Sequence, residues 1–223
     1  MGRNKLQKFK ANQLSTNVIE PGKPSYDRIK GRWHDHFSNN NPLVAELACG
    51  YGEYTTGLAT EYPEKNFIGV DIKGARIWKG SQIANTHNLQ NVAFLRTQIQ
   101  QLGDFFAENE LSEIWITFPD PRPRSSDEHK RLTHHKMLMM YKKLLSHQGV
   151  LHLKTDSEQL FDFSLSEIPQ ISHVENLEYT YDLYQSELLD EHRGITTRYE
   201  KLFLQQNKKI KYLRFRVTKP ESE

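Results

Sequence analysis

Apolar and polar positions fall into a repeating pattern after Pro42. Short apolar runs at Leu43–Ala48, Phe67–Ile72, Val92–Thr97, Ile114–Phe118 and Val150–Thr155 predict buried strands. The intervening stretches Tyr54–Tyr62, Ala75–His87, Leu102–Glu108 and Thr133–Leu145 predict helices. The last has the clearest face, because Met137, Leu138, Tyr141, Leu144 and Leu145 recur at helical spacing. Gly149 then reads as a stop and turn before the next strand. Strands alternating with helices predict an α/β fold with a parallel sheet covered on both faces. A further helix near Ser157–Ile168 precedes two β-like runs, Val174–Tyr181 and Ile210–Thr218, which predict an antiparallel C-terminal edge. Residues 1–41 read as a basic N-terminal extension with little core of its own, ending at Asn39, Asn40, Asn41 and Pro42, and residues 42–223 as the main domain.

The chain has 223 residues, 36% of them hydrophobic, which suffices for one packed domain. No stretch approaches the roughly 18 apolar residues of a membrane span. The N-terminal segment is basic and lacks an apolar signal core. Cys49 is the one cysteine, so no internal disulfide forms, and the expected location is the cytoplasm. The net charge is only +2, but it is unevenly spread. Met1–Arg32 holds eight Lys/Arg against two acids, Arg122–Lys143 seven against two, and Lys201–Lys219 seven against none. Asp156–Glu191 holds ten acids and no Lys or Arg. This asymmetry predicts a face for a polyanion. It leaves monomer and homodimer equally open.

The first predicted strand runs into Glu46-Leu-Ala-Cys-Gly-Tyr-Gly-Glu53. Gly50 and Gly52 permit a tight turn and close approach of a ligand to the backbone. Asp71 closes the second strand, where an acid can accept hydrogen bonds from both ribose hydroxyls of an adenosine moiety. A dinucleotide fingerprint needs a third glycine, and Thr55 stands at that place. Glu46 would also repel a pyrophosphate and attract a sulfonium and an ammonium. The contrast favours S-adenosylmethionine over NAD as cofactor.

The fourth predicted strand ends in Ile116-Thr-Phe-Pro-Asp-Pro-Arg-Pro-Arg124. In open parallel sheets, ligands bind beyond the carboxyl ends of the strands. Pro119, Pro121 and Pro123 restrict the backbone, which aims Asp120 into the cleft beside Arg122 and Arg124.

Taken together, these segments resemble the bacterial tRNA (guanine-N(7))-methyltransferases over nearly the whole chain. The likeness rests on Gly2–Leu6, Glu46–Glu53, Ile68–Asp71, Phe118–Pro121, Lys130–Thr133, Thr155-Asp156 and Thr197-Arg-Tyr-Glu200, in this order and spacing. It implies a Rossmann-like class I methyltransferase fold that acts on a guanosine in the tRNA variable loop, at tRNA position 46. By resemblance, Glu46, Asp71, Gln98 and Asp120 occupy cofactor-contacting positions, with Asp120 also at the catalytic centre. Arg124, Asp156, Thr197, Arg198, Tyr199 and Glu200 occupy substrate-binding positions. The chain departs from the family pattern at Ala48 (usually Gly), Asp71 (often Glu), Gln98 (commonly Asp or Asn), Arg122 (frequently Trp) and Arg124 (frequently Lys). Ala48 is tolerable unless its position needs a positive φ.

Thr197 and Glu200 have capping-box spacing, so a plain helix start is the simpler use of both. Arg3, Lys5, Lys8 and Lys10 form an arm expected to order only on RNA. No metal set is expected: His134 and His135 are adjacent and should face different helix directions, and His34 and His36 lack matching acids. Cys49 reads as packing, and Trp33, Trp78 and Trp115 as core or partner contacts. Two other function classes stay open: a small-molecule methyltransferase with the same cofactor half, and a non-catalytic RNA-binding subunit that kept the fold. An NAD oxidoreductase is opposed by Glu46.

Overall fold

The computed structural model describes residues 3–219. Its strands are β1 (Val18–Ile19), β2 (Leu43–Leu47), β3 (Asn66–Val70), β4 (Val92–Leu95), β5 (Leu111–Thr117), β6 (Leu145–Thr155), β7 (Val174–Thr180) and β8 (Lys211–Val217). The helices are α1 (Arg3–Leu14), α2 (Trp33–Phe37), α3 (Glu53–Glu61), α4 (Gly74–Thr86), α5 (His135–Leu144), α6 (Glu158–Glu167) and α7 (Arg198–Gln205). The eight strands form one sheet in the order β1-β4-β3-β2-β5-β6-β8-β7. All neighbours are parallel except β8, which runs antiparallel between β6 and β7. The chain order reverses between β2 and β5, which opens a crevice beyond the carboxyl end of β2.

Alternation along each strand divides the core in two. Ala45, Leu47, Ile68, Val70, Ala93, Leu95, Ile114 and Ile116 face a cluster completed by Met137, Leu138, Tyr141 and Leu144 of α5 and Phe161 of α6. Val44, Phe67, Val92, Phe94 and Trp115 face the other cluster, with Tyr54 and Leu58 of α3 and Ile77 and Ala84 of α4. Because both faces are covered, β2 and β3 are buried at every position, which is why they read as continuous apolar runs.

Four local expectations are corrected. Leu102–Glu108 is not an α-helix; a 3-10 helix spans Ile99–Asp104, with Gly103 inside it and Phe105 and Phe106 turned into the core. Gly149 does not separate helix from strand, since β6 starts at Leu145 directly after α5. The β5–β6 register slips between Leu111 and Glu113, so Ser146–Gly149 is accommodated as an irregularity within β6. A Cβ at Gly149 would sit 2.9 Å from the Ser146 carbonyl, so only glycine fits there without a shift. The segment before β2 contributes to the main core: Val18 and Ile19 pair with Phe94 and Leu95 of β4, and Trp33 is fully buried and donates to the Phe105 carbonyl at 2.9 Å. The arm expected to order only on RNA is a helix seated on α4. Asn12 donates to the Gly74 carbonyl at 2.8 Å, and Lys8 lies 4.7 Å over the Trp78 ring.

Candidate active site

Where β2 gives way to α3, the backbone turns through left-handed conformations at Ala48 (φ 58°), Gly50 (φ 58°) and Gly52 (φ 69°). A Cβ on Gly52 would meet the Phe94 ring at 2.5 Å, so this turn needs glycine both for its φ and for its packing. Ala48 therefore occupies the kind of position at which alanine is strained. The turn delivers the N-terminus of α3 to the crevice. It also exposes the ends of β2 and β3, with Glu46 and Asp71 beneath.

Glu46 lies one residue inside the strand end rather than at it, and is only 3% exposed. Its carboxylate accepts hydrogen bonds from the Thr55 amide (2.8 Å), the Thr55 hydroxyl and the Thr117 hydroxyl (2.5 Å). Burial nevertheless wins over these bonds and pushes its pKa up to about 7. Asp71 accepts from the Gly50 amide at 3.0 Å and the Lys73 amide at 2.7 Å, which fixes its carboxylate at the rim. Cys49 is buried and unpaired, and burial holds its thiol well above the ordinary value, as suits packing rather than nucleophilic attack.

Opposite stands the proline loop that follows β5. Phe118 (φ 47°) and Arg122 (φ 48°) are both left-handed without being glycine. Such backbone persists only where the surroundings hold it. The Phe118 amide donates to the Lys154 carbonyl at 2.8 Å, continuing the β5–β6 ladder. Arg131, 1% exposed, donates to the Pro121 carbonyl at 3.2 Å and the Arg122 carbonyl at 3.1 Å, and its guanidinium lies 4.4 Å from the Phe163 ring. Asp120 projects outward, 63% exposed, with Arg122 Nε at 3.3 Å.

Between turn and loop lies a cleft of about 520 Å³ whose lining includes Glu46, Gly50, Asp71, Asp120, Asp156, Thr197 and Tyr199. A smaller adjoining cavity of about 260 Å³ is lined by Gln98 with Ala48, Asp71, Asp120 and Arg122. An equally large cleft at the opposite strand ends holds none of the expected residues; within it Lys65 pairs with Glu113, and Arg214 with Glu178 and Glu191.

The chain matches the family model described as "Putative methyltransferase" over residues 40–213. It is 47% identical to a tRNA (guanine-N(7)-)-methyltransferase of Cytophaga hutchinsonii, over 96% of this chain and 98% of that one. The chain belongs to this methyltransferase family. A second relative so named, from Christiangramia forsetii, is 45% identical with the same coverage. Among solved structures, the 16S rRNA methyltransferase KamB superposes with a TM-score of 0.63 at 12% identity, covering 85% of this chain and 94% of that one. A 16S rRNA (adenine(1408)-N(1))-methyltransferase mutant of Catenulisporales acidiphilia, solved with S-adenosylmethionine, gives a TM-score of 0.56 at 12% identity, covering 86% and 93%. These establish the Rossmann-like class I fold.

Several residues of this methyltransferase sit differently from the sequence expectation. Thr197 caps α7, accepting from the Glu200 amide at 3.1 Å, but Glu200 does not return the bond. Its carboxylate is fully buried, 2.9 Å from Lys154 Nζ, 3.4 Å from His192 and accepting from the Tyr184 hydroxyl at 3.2 Å. Glu200 therefore does not line the cleft, and Arg198, Arg124 and Gly52 are also outside its lining. The Arg198 amide instead donates to Glu53 at 2.8 Å, which ties α7 to the first turn of α3. Asp156 accepts from Lys208 at 2.7 Å. The Lys201–Lys219 run is not a free basic face: Lys208 pairs with Asp156, Lys209 with Asp182, and Arg214 with Glu178 and Glu191. The run therefore meets the acidic stretch at Lys208, Lys209 and Arg214, the last of them carried by β8 between β6 and β7. His134 and His135 converge rather than diverge, with rings 4.2 Å apart, because His134 is the extended cap of α5 and not its first helical residue. Among the described residues, no helix is long and apolar enough to cross a membrane.

Sequence reasoning missed Arg131, Lys154 and Glu53 as organisers of the site. A lysine at the end of an otherwise apolar strand, as in Val150–Thr155, was the available signal.

Proposed function

We propose that this methyltransferase transfers a methyl group from S-adenosylmethionine to N7 of a guanosine in the tRNA variable loop, at tRNA position 46, forming 7-methylguanosine. Identity of 47% to a relative of that name, across 96% of the chain, carries the reading. The cleft supports it chemically. A buried carboxylate with a pKa near 7 gains from a cationic neighbour, and an oriented acid at the end of β3 suits a ribose. Glu46, Asp71, Gln98 and Asp120 would hold the cofactor, with Gly50 and Gly52 letting it approach the backbone. When bound, S-adenosylmethionine supplies an electrophilic methyl on a sulfonium.

Guanine N7 carries an available lone pair, so no general base is required. Positioning of the purine supplies most of the rate. Asp120 faces the charge that grows on the ring and stabilises it. Asp156 orients the base through its donor edge, in exchange with Lys208. Thr197, Arg198, Tyr199 and Glu200 act as one unit, in which buried Glu200 seats α7 and Thr197 and Tyr199 meet the substrate. Arg124 engages phosphate or base, and tRNA is the partner. The enzyme works in the cytoplasm as a monomer or homodimer. Asp120→Asn tests the assignment: kcat at saturating cofactor and tRNA should fall by on the order of 10²-fold or more. Unchanged turnover would remove Asp120 from the catalytic centre.

A further inference from the structure

Among the described residues, one trio of His, Cys, Asp or Glu side chains lies close enough together to share a metal ion. His134, His135 and Glu167 each place one donor atom within 4.8 Å of the others. None of them lines either cavity of the active site. The two histidines are neighbours in sequence, and on a helix their rings would point about 100° apart. Here His134 has extended backbone (φ −61°, ψ 143°) and caps α5, which swings its ring alongside that of His135. Glu167 reaches them from the last residue of α6.

The carboxylate is held in place before any ligand arrives. It is 7% exposed, accepts from the His135 amide at 2.5 Å, and accepts from Gln170 through its other oxygen at 3.0 Å. Outer contacts that orient a carboxylate are typical of ligating groups. The face of the trio away from Glu167 opens to solvent, since the His135 side chain is 41% exposed.

We propose that His134, His135 and Glu167 form a binding site for a divalent transition-metal ion of the zinc class. Two imidazoles and one carboxylate suit zinc, cobalt or nickel, whereas calcium and magnesium prefer all-oxygen sets. Metal–donor bonds of about 2.0–2.2 Å place tetrahedral donors roughly 3.3 Å apart, so a modest rotation of the half-buried rings closes the trio. Solvent supplies the fourth ligand. The ion cross-links the start of α5 to the end of α6. It also fixes the His134 ring, which stacks on Phe163 at 6.3 Å, and Phe163 in turn carries Arg131, the clamp of the proline loop.

The test uses the full chain without a histidine tag, stripped with a chelator. Cobalt(II) is titrated while visible absorption is followed, and zinc is then added as competitor. One equivalent of cobalt should develop ligand-field bands that zinc removes, and zinc should raise Tm in a concentration-dependent way. His134→Ala and Glu167→Gln should each weaken cobalt binding at least tenfold while S-adenosylmethionine binding, as a control for folding, is kept. Wild-type protein that takes up no saturable equivalent overturns the proposal. So does unchanged cobalt affinity in either variant.

Discussion

Replacing Lys154 with methionine isolates the pair that seats α7. Lys154 and Glu200 are both fully buried, with 2.9 Å between Nζ and a carboxylate oxygen. Burial pushes the lysine pKa down and Glu200 opposes that shift, so each charge relies on the other. Removing the ammonium strands a buried carboxylate with only Tyr184 and His192 beside it. Breaking one partner of a buried pair costs about 3–5 kcal/mol. For a chain of this size each kcal/mol moves Tm by roughly 2–4 °C, so Lys154→Met should lower Tm by about 6–20 °C. That is a large share of a typical stability of about 5–15 kcal/mol. The double variant Lys154→Met/Glu200→Leu removes both charges and should recover much of the loss. Thermal unfolding of the wild type, the single variant and the double variant measures both differences. A Tm for Lys154→Met within 2 °C of wild type, or a double variant less stable than the single, would refute the argument.

Three further outcomes follow from the same structure. Ala48→Gly should stabilise the protein by about 1 kcal/mol, since relief of left-handed strain (about 1–2 kcal/mol) exceeds the added unfolded-state entropy (about 0.4–1 kcal/mol); a lower Tm would count against strain at φ 58°. Glu46 titrates near 7 when folded and near 4.5 when unfolded, so its stabilising proton is fully present below pH 4.5 and lost as pH rises through 7. Between pH 6 and 8 this group should cost the cofactor-free protein about 1 kcal/mol, a loss absent from Glu46→Gln, and parallel Tm profiles for the two proteins would contradict it. Arg131→Lys should lower kcat/KM for tRNA by about 10–100-fold, as one or two charge-assisted bonds to the loop carbonyls are worth about 1.5–3 kcal/mol; steady-state kinetics with unchanged kcat/KM would show that the loop holds its shape without the clamp.

Much of the architecture was legible because burial on both sheet faces leaves uninterrupted apolar runs, and all five central strands could be read from them. The antiparallel C-terminal edge was visible too, in the β-like runs Val174–Tyr181 and Ile210–Thr218. What failed depended on tertiary neighbours. β1 has two residues and becomes a strand only beside Phe94 and Leu95. The basic run at Lys201–Lys219 looked like a polyanion face because its acidic partners lie far away in sequence and meet it only through the β6-β8-β7 order. His134 misled because one residue at a helix start decides whether two rings diverge or converge. At the cleft, Glu46, Gly50, Asp71 and Asp120 were marked by lying in or just after the carboxyl-terminal parts of their strands. Arg131 and Lys154 act from behind the loop; Lys154 was signalled only by its place in an apolar strand, and nothing in the local spacing of Arg131 distinguishes a buried clamp from a surface charge.

The central claim is tested most directly by transfer of labelled methyl from S-adenosylmethionine to unmodified tRNA, followed by chemical cleavage at 7-methylguanosine. A parallel tRNA carries adenosine in place of the variable-loop guanosine. The account predicts incorporation and a single cleavage in the first tRNA and neither in the second. Equal incorporation into both, or label without cleavage at the variable loop, would contradict it.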